Sequence, residues 1–171
     1  MKLLPLCLAF GLVAPVCAQA PVGSRALSRA DVLRQSWPMF SAQDEGYADI
    51  QVRGLQFLLR NSGFSKSRPD GAFGSATERA VKRFQRAQGL KADGIVGAQT
   101  WAKLCPRLKR GDRGDAVRAL QTLLAVKADG SFGYGTETAL RKLQKNLGLK
   151  SDGVVGAQIW AALLSSDGGG D

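Results

Sequence analysis

Apolar residues recur at spacings of three and four along two stretches of the chain. Val52, Leu55 and Leu59 form one stripe, and Ala80, Val81, Phe84 and Ala87 form another. That spacing places each set on one side of an amphipathic helix. The second stripe lies between Ser75 and Gln88. Ser75 with Glu78 has capping-box spacing at its start, and Gly89 is placed to end it. A shorter helix is expected from Ala98 to Leu104, burying Trp101 and Leu104. Asp-Gly pairs fall between these segments, where Asp bonds nearby backbone and Gly supplies positive φ. No stretch alternates polar and apolar residues long enough for a strand.

The pattern then occurs again. Residues 70–104 match 129–163 at a constant offset of 59, from Asp70-Gly71 against Asp129-Gly130 to Trp101 against Trp160 and Leu104 against Leu163. Gln85 meets Gln144, and Val96-Gly97-Ala98-Gln99 meets Val155-Gly156-Ala157-Gln158. Upstream the offset is 65, pairing Val52, Leu55, Gln56 and Leu59 with Val117, Leu120, Gln121 and Leu124. The first copy is therefore six residues longer, and its Gly-, Ser- and Pro-containing stretch from Asn61 to Pro69 reads as a loop. Pro38 pairs with Pro106 at an offset of 68, which puts Cys105 in the place of Trp37. The fold class expected is all-α: two tandem three-helix units over 37–104 and 105–164, placed close together by the short joint at Cys105-Pro106.

Outside the repeats, Met1-Lys2, an apolar run from Leu3 to Val16 and small residues at Ala18 and Ala20 have the layout of a secretory signal peptide. Cleavage is expected after Ala18. The run of about 14 apolar residues is shorter than the about 20 a membrane span needs. Residues 19–36 read as a leader and 165–171 as a disordered tail. Cleavage would leave Cys105 alone, with no disulfide possible. With no His in the chain, zinc would have to be held by carboxylates alone, which it rarely accepts. The Asp-Gly loops lack the further oxygen ligands of a calcium loop. No cofactor or metal is expected.

The chain carries 24 Lys and Arg against 14 Asp and Glu, a net charge of +10, and both repeats are net basic. An exported basic protein is drawn to anionic surfaces, wall polymers as well as nucleic acid. Export argues against nucleic acid, and no base-stacking motif is present.

The motif Val52/Leu55/Gln56, then Asp70-Gly71-Ala72-Phe73-Gly74 with Thr77, then Phe84-Gln85, Gly89-Leu90, Asp93-Gly94-Ile95-Val96-Gly97 and Thr100-Trp101, repeated in the second copy, resembles the peptidoglycan-binding domain found beside many wall hydrolases. The resemblance covers both repeats. It implies a three-helix fold and binding to bacterial cell wall, in the periplasm or at the cell envelope. In such proteins the domain commonly localises an attached enzyme; here the doubled motif together with the expected signal peptide reads as an anchor or accessory to separate wall hydrolases. No domain for catalysis is evident in the sequence, so the chain is expected not to be an enzyme. The competing reading, a wall hydrolase, would use the neighbouring carboxylates Asp44 and Glu45.

Candidate contacts to peptidoglycan are the turn residues Asp70, Asp93, Asp129 and Asp152, with Thr77 and Thr136. The basic positions Arg79, Arg83 and Arg86, with Lys142 and Lys145 in the second copy, lie opposite an apolar stripe. They could meet stem-peptide carboxylates or wall-polymer phosphates. Trp101 and Trp160 are candidate sugar platforms, although their stripe positions, like those of Phe73, Phe84, Phe132 and Leu143, favour a core role. Cys105 lacks an activating base and is read as packing.

Overall fold

The computed structural model describes residues 37, 40, 41 and 49–165. The expected signal peptide and leader, Asp44, Glu45 and residues 166–171 lie outside them. Among the described residues there are six helices, and isolated β-bridges in place of strands. The first copy contributes α1 (Asp49–Asn61), α2 (Ser75–Ala87) and α3 (Ala98–Leu104). The second contributes α4 (Asp115–Leu123), α5 (Tyr134–Asn146) and α6 (Ala157–Ser165). The all-α class and the three-helix unit are as the periodicity requires. None of these helices is long and apolar enough to cross a membrane.

The stripes are buried as their spacing demands, except that Ala87, in the last turn of α2, is exposed. Leu55 and Leu59 of α1, Val81 and Phe84 of α2, and Trp101 of α3 make the first core, and Val117, Leu120, Leu140 and Trp160 are among those of the second. Each copy also brings a short extended segment across its second Asp-Gly turn. Phe40 bridges Val96, and Leu108 bridges Val155. Around Trp101, Phe40 packs edge-on at 5.6 Å between ring centres, and Trp37 stacks at 6.3 Å. In the second copy Trp160 Nε1 donates to the Pro106 carbonyl at 2.8 Å, fastening α6 to the start of its own repeat.

The capping box expected at Ser75 does not form. Gly74 is the N-cap, in extended conformation, and the Glu78 amide donates to its carbonyl. The Asp-Gly turn brings the chain into the helix one residue early, so Ser75 is already helical. The Glu78 carboxylate instead pairs with Lys82 at 2.6 Å.

At the far ends of the longer helices one device recurs. The Gly89 and Leu90 amides donate back to the carbonyls of Arg86 and Gln85, and those of Gly148 and Leu149 to Lys145 and Gln144. This paired closure puts its first residue in the left-handed region, which suits glycine. After α4 the same closure is made by Ala125, at φ +53. A Cβ in that conformation costs about 1–2 kcal/mol, partly offset by the extra freedom glycine has when unfolded. Ala125→Gly is therefore expected to raise stability by about 0.5–1 kcal/mol, read as a higher urea midpoint at unchanged slope. A lowered midpoint would contradict this.

The two copies do not stand apart. Equivalent helices α1 and α4 pack on each other, and buried apolar residues of both copies form one continuous cluster. The approach is close at Gly54, where a Cβ would lie 3.3 Å from Leu123. Polar contacts fix the pairing. Arg60 meets Asp115 at 3.2 Å. Asn61 Oδ1, at the end of α1, accepts from the Ala116 amide at 3.3 Å, capping a helix of the other copy whose own N-cap, Gly114, offers no side chain.

Candidate functional site

Each copy is organised by a buried glutamine that gathers an Asp-Gly turn. Gln85 Nε2 donates to Asp93 Oδ1 at 3.1 Å, to the Ile95 carbonyl at 2.8 Å and to Thr100 Oγ1 at 3.2 Å, while its Oε1 accepts from the Gly94 amide at 2.9 Å. Gln144 makes the equivalent bonds to Asp152, Val154 and Gly153; Ile159 stands where Thr100 would be. The same arrangement holds the first turn of each copy. Gln56 gathers Asp70, Ala72 and Thr77, and Gln121 gathers Asp129, Ser131 and Thr136. Each repeat is thus itself built from two Gln/Asp-Gly modules. The turns need glycine after the aspartate: Gly94 and Gly153 have φ of +83 and +72.

These bonds define what the aspartates do. The Ile95 amide holds the Asp93 carboxyl below its ordinary pKa, the Val154 amide does so for Asp152 and the Ser131 amide for Asp129. For Asp70 the Gln56 side chain is the largest cause. A depressed pKa means the folded chain binds fewer protons than the unfolded one in this range. The stabilisation is therefore complete above the usual aspartate value of about 4 and lost as pH falls through the lower folded values. The thermal midpoint is expected to be level from about pH 7 to 5 and to fall below about pH 4. A midpoint unchanged at pH 3 would show that these carboxylates contribute nothing.

Beside the second turn of each copy lies a groove, built by the same positions both times. In the first copy Leu90, Lys91, Asp93, Ile95, Gln99 and Thr100 line a space of about 290 Å³. In the second, their counterparts Leu149, Lys150, Asp152, Val154, Gln158 and Ile159 line about 570 Å³, which extends past Cys105, Pro106 and Arg107. The apolar walls, a lysine and a glutamine amide suit a ligand that mixes apolar faces with carboxylate and amide groups.

The residues singled out by sequence are distributed unevenly. Asp93 and Asp152 lie in the paired grooves, while Asp70 and Asp129 sit at the first turns. Thr77 and Thr136 are 7% and 6% exposed, and their hydroxyls are taken by Gln56 and Gln121. Trp101 and Trp160 are 0% exposed, so neither ring offers a face to a sugar; both are core, and the platform reading is corrected. Arg79, Arg83 and Arg86 are exposed together on α2, and Lys142 and Lys145 on α5. Burial pushes the Cys105 thiol pKa up, which disfavours the thiolate. Sequence reasoning missed the groove walls, Leu90, Lys91 and Gln99 with their counterparts. Their signal was the near-identity of the two copies from Gly-Leu-Lys to Val-Gly-Ala-Gln, broken only at Ala92/Ser151 and Ile95/Val154.

The chain matches the family described as "Putative peptidoglycan binding domain" twice, over residues 49–104 and 113–163. It is 50% identical over 70 residues to an uncharacterized protein in the bpoA1 3' region of Kitasatospora aureofaciens, covering 40% of this chain and 57% of that one. It is 30% identical over 155 residues to a probable N-acetylmuramoyl-L-alanine amidase of Bacillus licheniformis, covering 71% and 44%. It is 40% identical over 97 residues to a zinc D-Ala-D-Ala carboxypeptidase of Streptomyces albus G, covering 53% and 37%. The chain thus spans under two thirds of each of these relatives. The expectation that it is not an enzyme is corrected: relatives matched across the repeats are named as an amidase and a carboxypeptidase, so the repeats occur in enzymes. With the match covering both copies and most of the described residues, the chain belongs to the peptidoglycan-binding domain family, in two tandem copies.

Proposed function

We propose that the chain binds peptidoglycan through its two equivalent grooves, outside the cytoplasm, and serves cell-wall remodelling by anchoring or assisting wall hydrolases. The observation that carries this is the groove itself, formed twice from matching positions beside a Gln-locked turn. Peptidoglycan presents acetylated sugars and peptides with free carboxylates. Leu90 and Leu149 offer apolar contact, Gln99 and Gln158 amide hydrogen bonds, and Lys91 and Lys150 a charge partner. The family membership and the enzymes among the relatives support the wall as the setting.

Two linked sites raise avidity by about 10²–10⁴-fold when both engage at once. Because α1 and α4 share a core, the copies are best tested in the intact chain. Co-sedimentation with purified insoluble murein should retain the wild type at moderate salt. Lys91→Glu or Lys150→Glu should each weaken retention about tenfold, and the pair together should nearly abolish it. Full retention of the double variant would remove the grooves from the account.

A second reading, that the chain takes part in cleaving the wall, is favoured by the names of the amidase and carboxypeptidase relatives. Loss of turbidity in a wall suspension would support it, and constant turbidity would overturn it.

A further inference from the structure

The first copy carries a feature built from residues that the second lacks. Its extra segment, residues 61–69, folds back along α2. Phe64 packs edge-on against Phe84 with ring centres 5.4 Å apart, and the Arg83 guanidinium donates to the Phe64 carbonyl at 2.5 Å. Between the segment and the basic side of α2 lies a cleft of about 530 Å³. Ser65, Lys66 and Ser67 form one wall, and Arg79, Lys82, Arg83 and Arg86 the other. No acidic residue lines it. The Lys82 charge is met by Glu78, and part of the Arg83 fork is spent on Phe64. Lys66, Arg79 and Arg86 are exposed, and their side chains make no hydrogen bond or ion pair among the described residues.

Cations gathered around one cleft repel each other, and an oxyanion seated among them removes that repulsion while taking charge-assisted hydrogen bonds. The serine hydroxyls opposite add neutral donors. In the second copy the extra segment is missing and Thr138 replaces Arg79. We infer that this cleft is an anion site specific to the first copy, taking a phosphate or carboxylate group of a wall polymer. It rests on the wall-binding reading only for the source of the anion. Phosphodiester-linked secondary polymers and stem peptides both carry suitable groups.

The direct test titrates the full chain with inorganic pyrophosphate and follows backbone amide shifts. Saturable shifts confined to residues 65–67 and 76–86 are expected. They should be at least about fivefold weaker in Arg79→Gln/Arg86→Gln and within about twofold of wild type in Lys142→Gln/Lys145→Gln, which removes the same charge from α5. Equal weakening by both variants, or shifts spread over every basic surface, would overturn the inference as bulk attraction. All four positions are exposed, so both variants should keep the wild-type fold, which unchanged spectra elsewhere would verify.

A second arm compares retention of wild type and Arg79→Gln/Arg86→Gln on intact walls and on walls stripped of phosphodiester polymers. A deficit on intact walls alone supports a phosphate ligand, and a deficit on both supports a murein carboxylate. No deficit on either overturns the site as a wall contact. Pyrophosphate binding by a wild type that fails to pellet with murein would sink the wall-binding reading and leave the anion site standing.

Discussion

Replacing Gln85 with Leu is expected to lower unfolding free energy by about 2–5 kcal/mol. The substitution keeps most of the side-chain volume and removes every hydrogen bond at the hub of the second turn. The buried Gly94 amide loses its glutamine acceptor, and the buried Thr100 hydroxyl loses the glutamine donor while still donating to the Ile95 carbonyl at 3.5 Å. Each buried group left unsatisfied costs about 1–3 kcal/mol. The Ile95 carbonyl also loses the shorter of its two side-chain donors. Gln144→Leu should cost about as much, because the Gly153 amide and the Val154 carbonyl lose the same partner and Ile159 offers no hydroxyl in its place. Gln88→Leu, exposed at the end of the same helix, should change stability by under about 0.5 kcal/mol. Urea unfolding of the three variants tests the order. Equal small effects for Gln85 and Gln88 would show that the hub contributes no stability.

The largest expected loss is at a tryptophan. Trp160→Ala should cost about 3–5 kcal/mol, the range for emptying a large buried aromatic site. Trp160 is fully buried, and its removal also strips the Pro106 carbonyl of the indole donor that ties α6 to the entry of the second repeat. Stability of about 5–15 kcal/mol is usual for domains, so the variant is expected to be partly unfolded near body temperature. Because the two copies share one apolar cluster, the damage should spread. Trp160→Ala is expected to lower the unfolding midpoint of both halves together. Amide exchange that quickens only within residues 105–165 would contradict a shared core. Trp160→Phe keeps an aromatic body and should recover part of the loss.

Much of this architecture can be read from residue spacing. The stripes through Val52, Leu55 and Leu59 and through Ala80, Val81 and Phe84 place two helices. The offsets of 65 for the first stripe and 59 for the second then transfer them to the second copy, because apolar residues at matching positions bury matching faces. The hubs were also present in the sequence, as Gln85 and Gln144 each precede an Asp-Gly pair by the same interval, and Gln121 does so before Asp129. What hid them is that glutamine is usually a surface residue. Only its burial shows that it replaces several backbone partners at once. The missed capping box had a different cause. Ser75 and Glu78 fit the local rule, but the preceding turn fixes where the helix begins, and Gly74 takes the cap.

Sites were less readable than folds. Trp101 and Trp160 fit a sugar platform by type and a core by stripe, and burial decides for the core. The basic residues of α2 were visible as a helical face. Their enclosure depends on residues 61–69 folding back through Phe64, a contact between segments that no periodicity encodes. The pairing of α1 with α4 escaped sequence reasoning for a related reason. Gly54 reads as a weak point in a helix, yet its missing side chain is what admits Leu123.

The central claim is that murein occupies the two equivalent grooves, and it is tested most directly by titrating the chain with soluble disaccharide-peptide fragments of peptidoglycan while following backbone amide shifts. The account predicts saturable changes along both Leu90–Thr100 and Leu149–Ile159, lost together in Lys91→Glu/Lys150→Glu. Changes confined to surfaces outside both grooves, or no change at millimolar fragment, would contradict it.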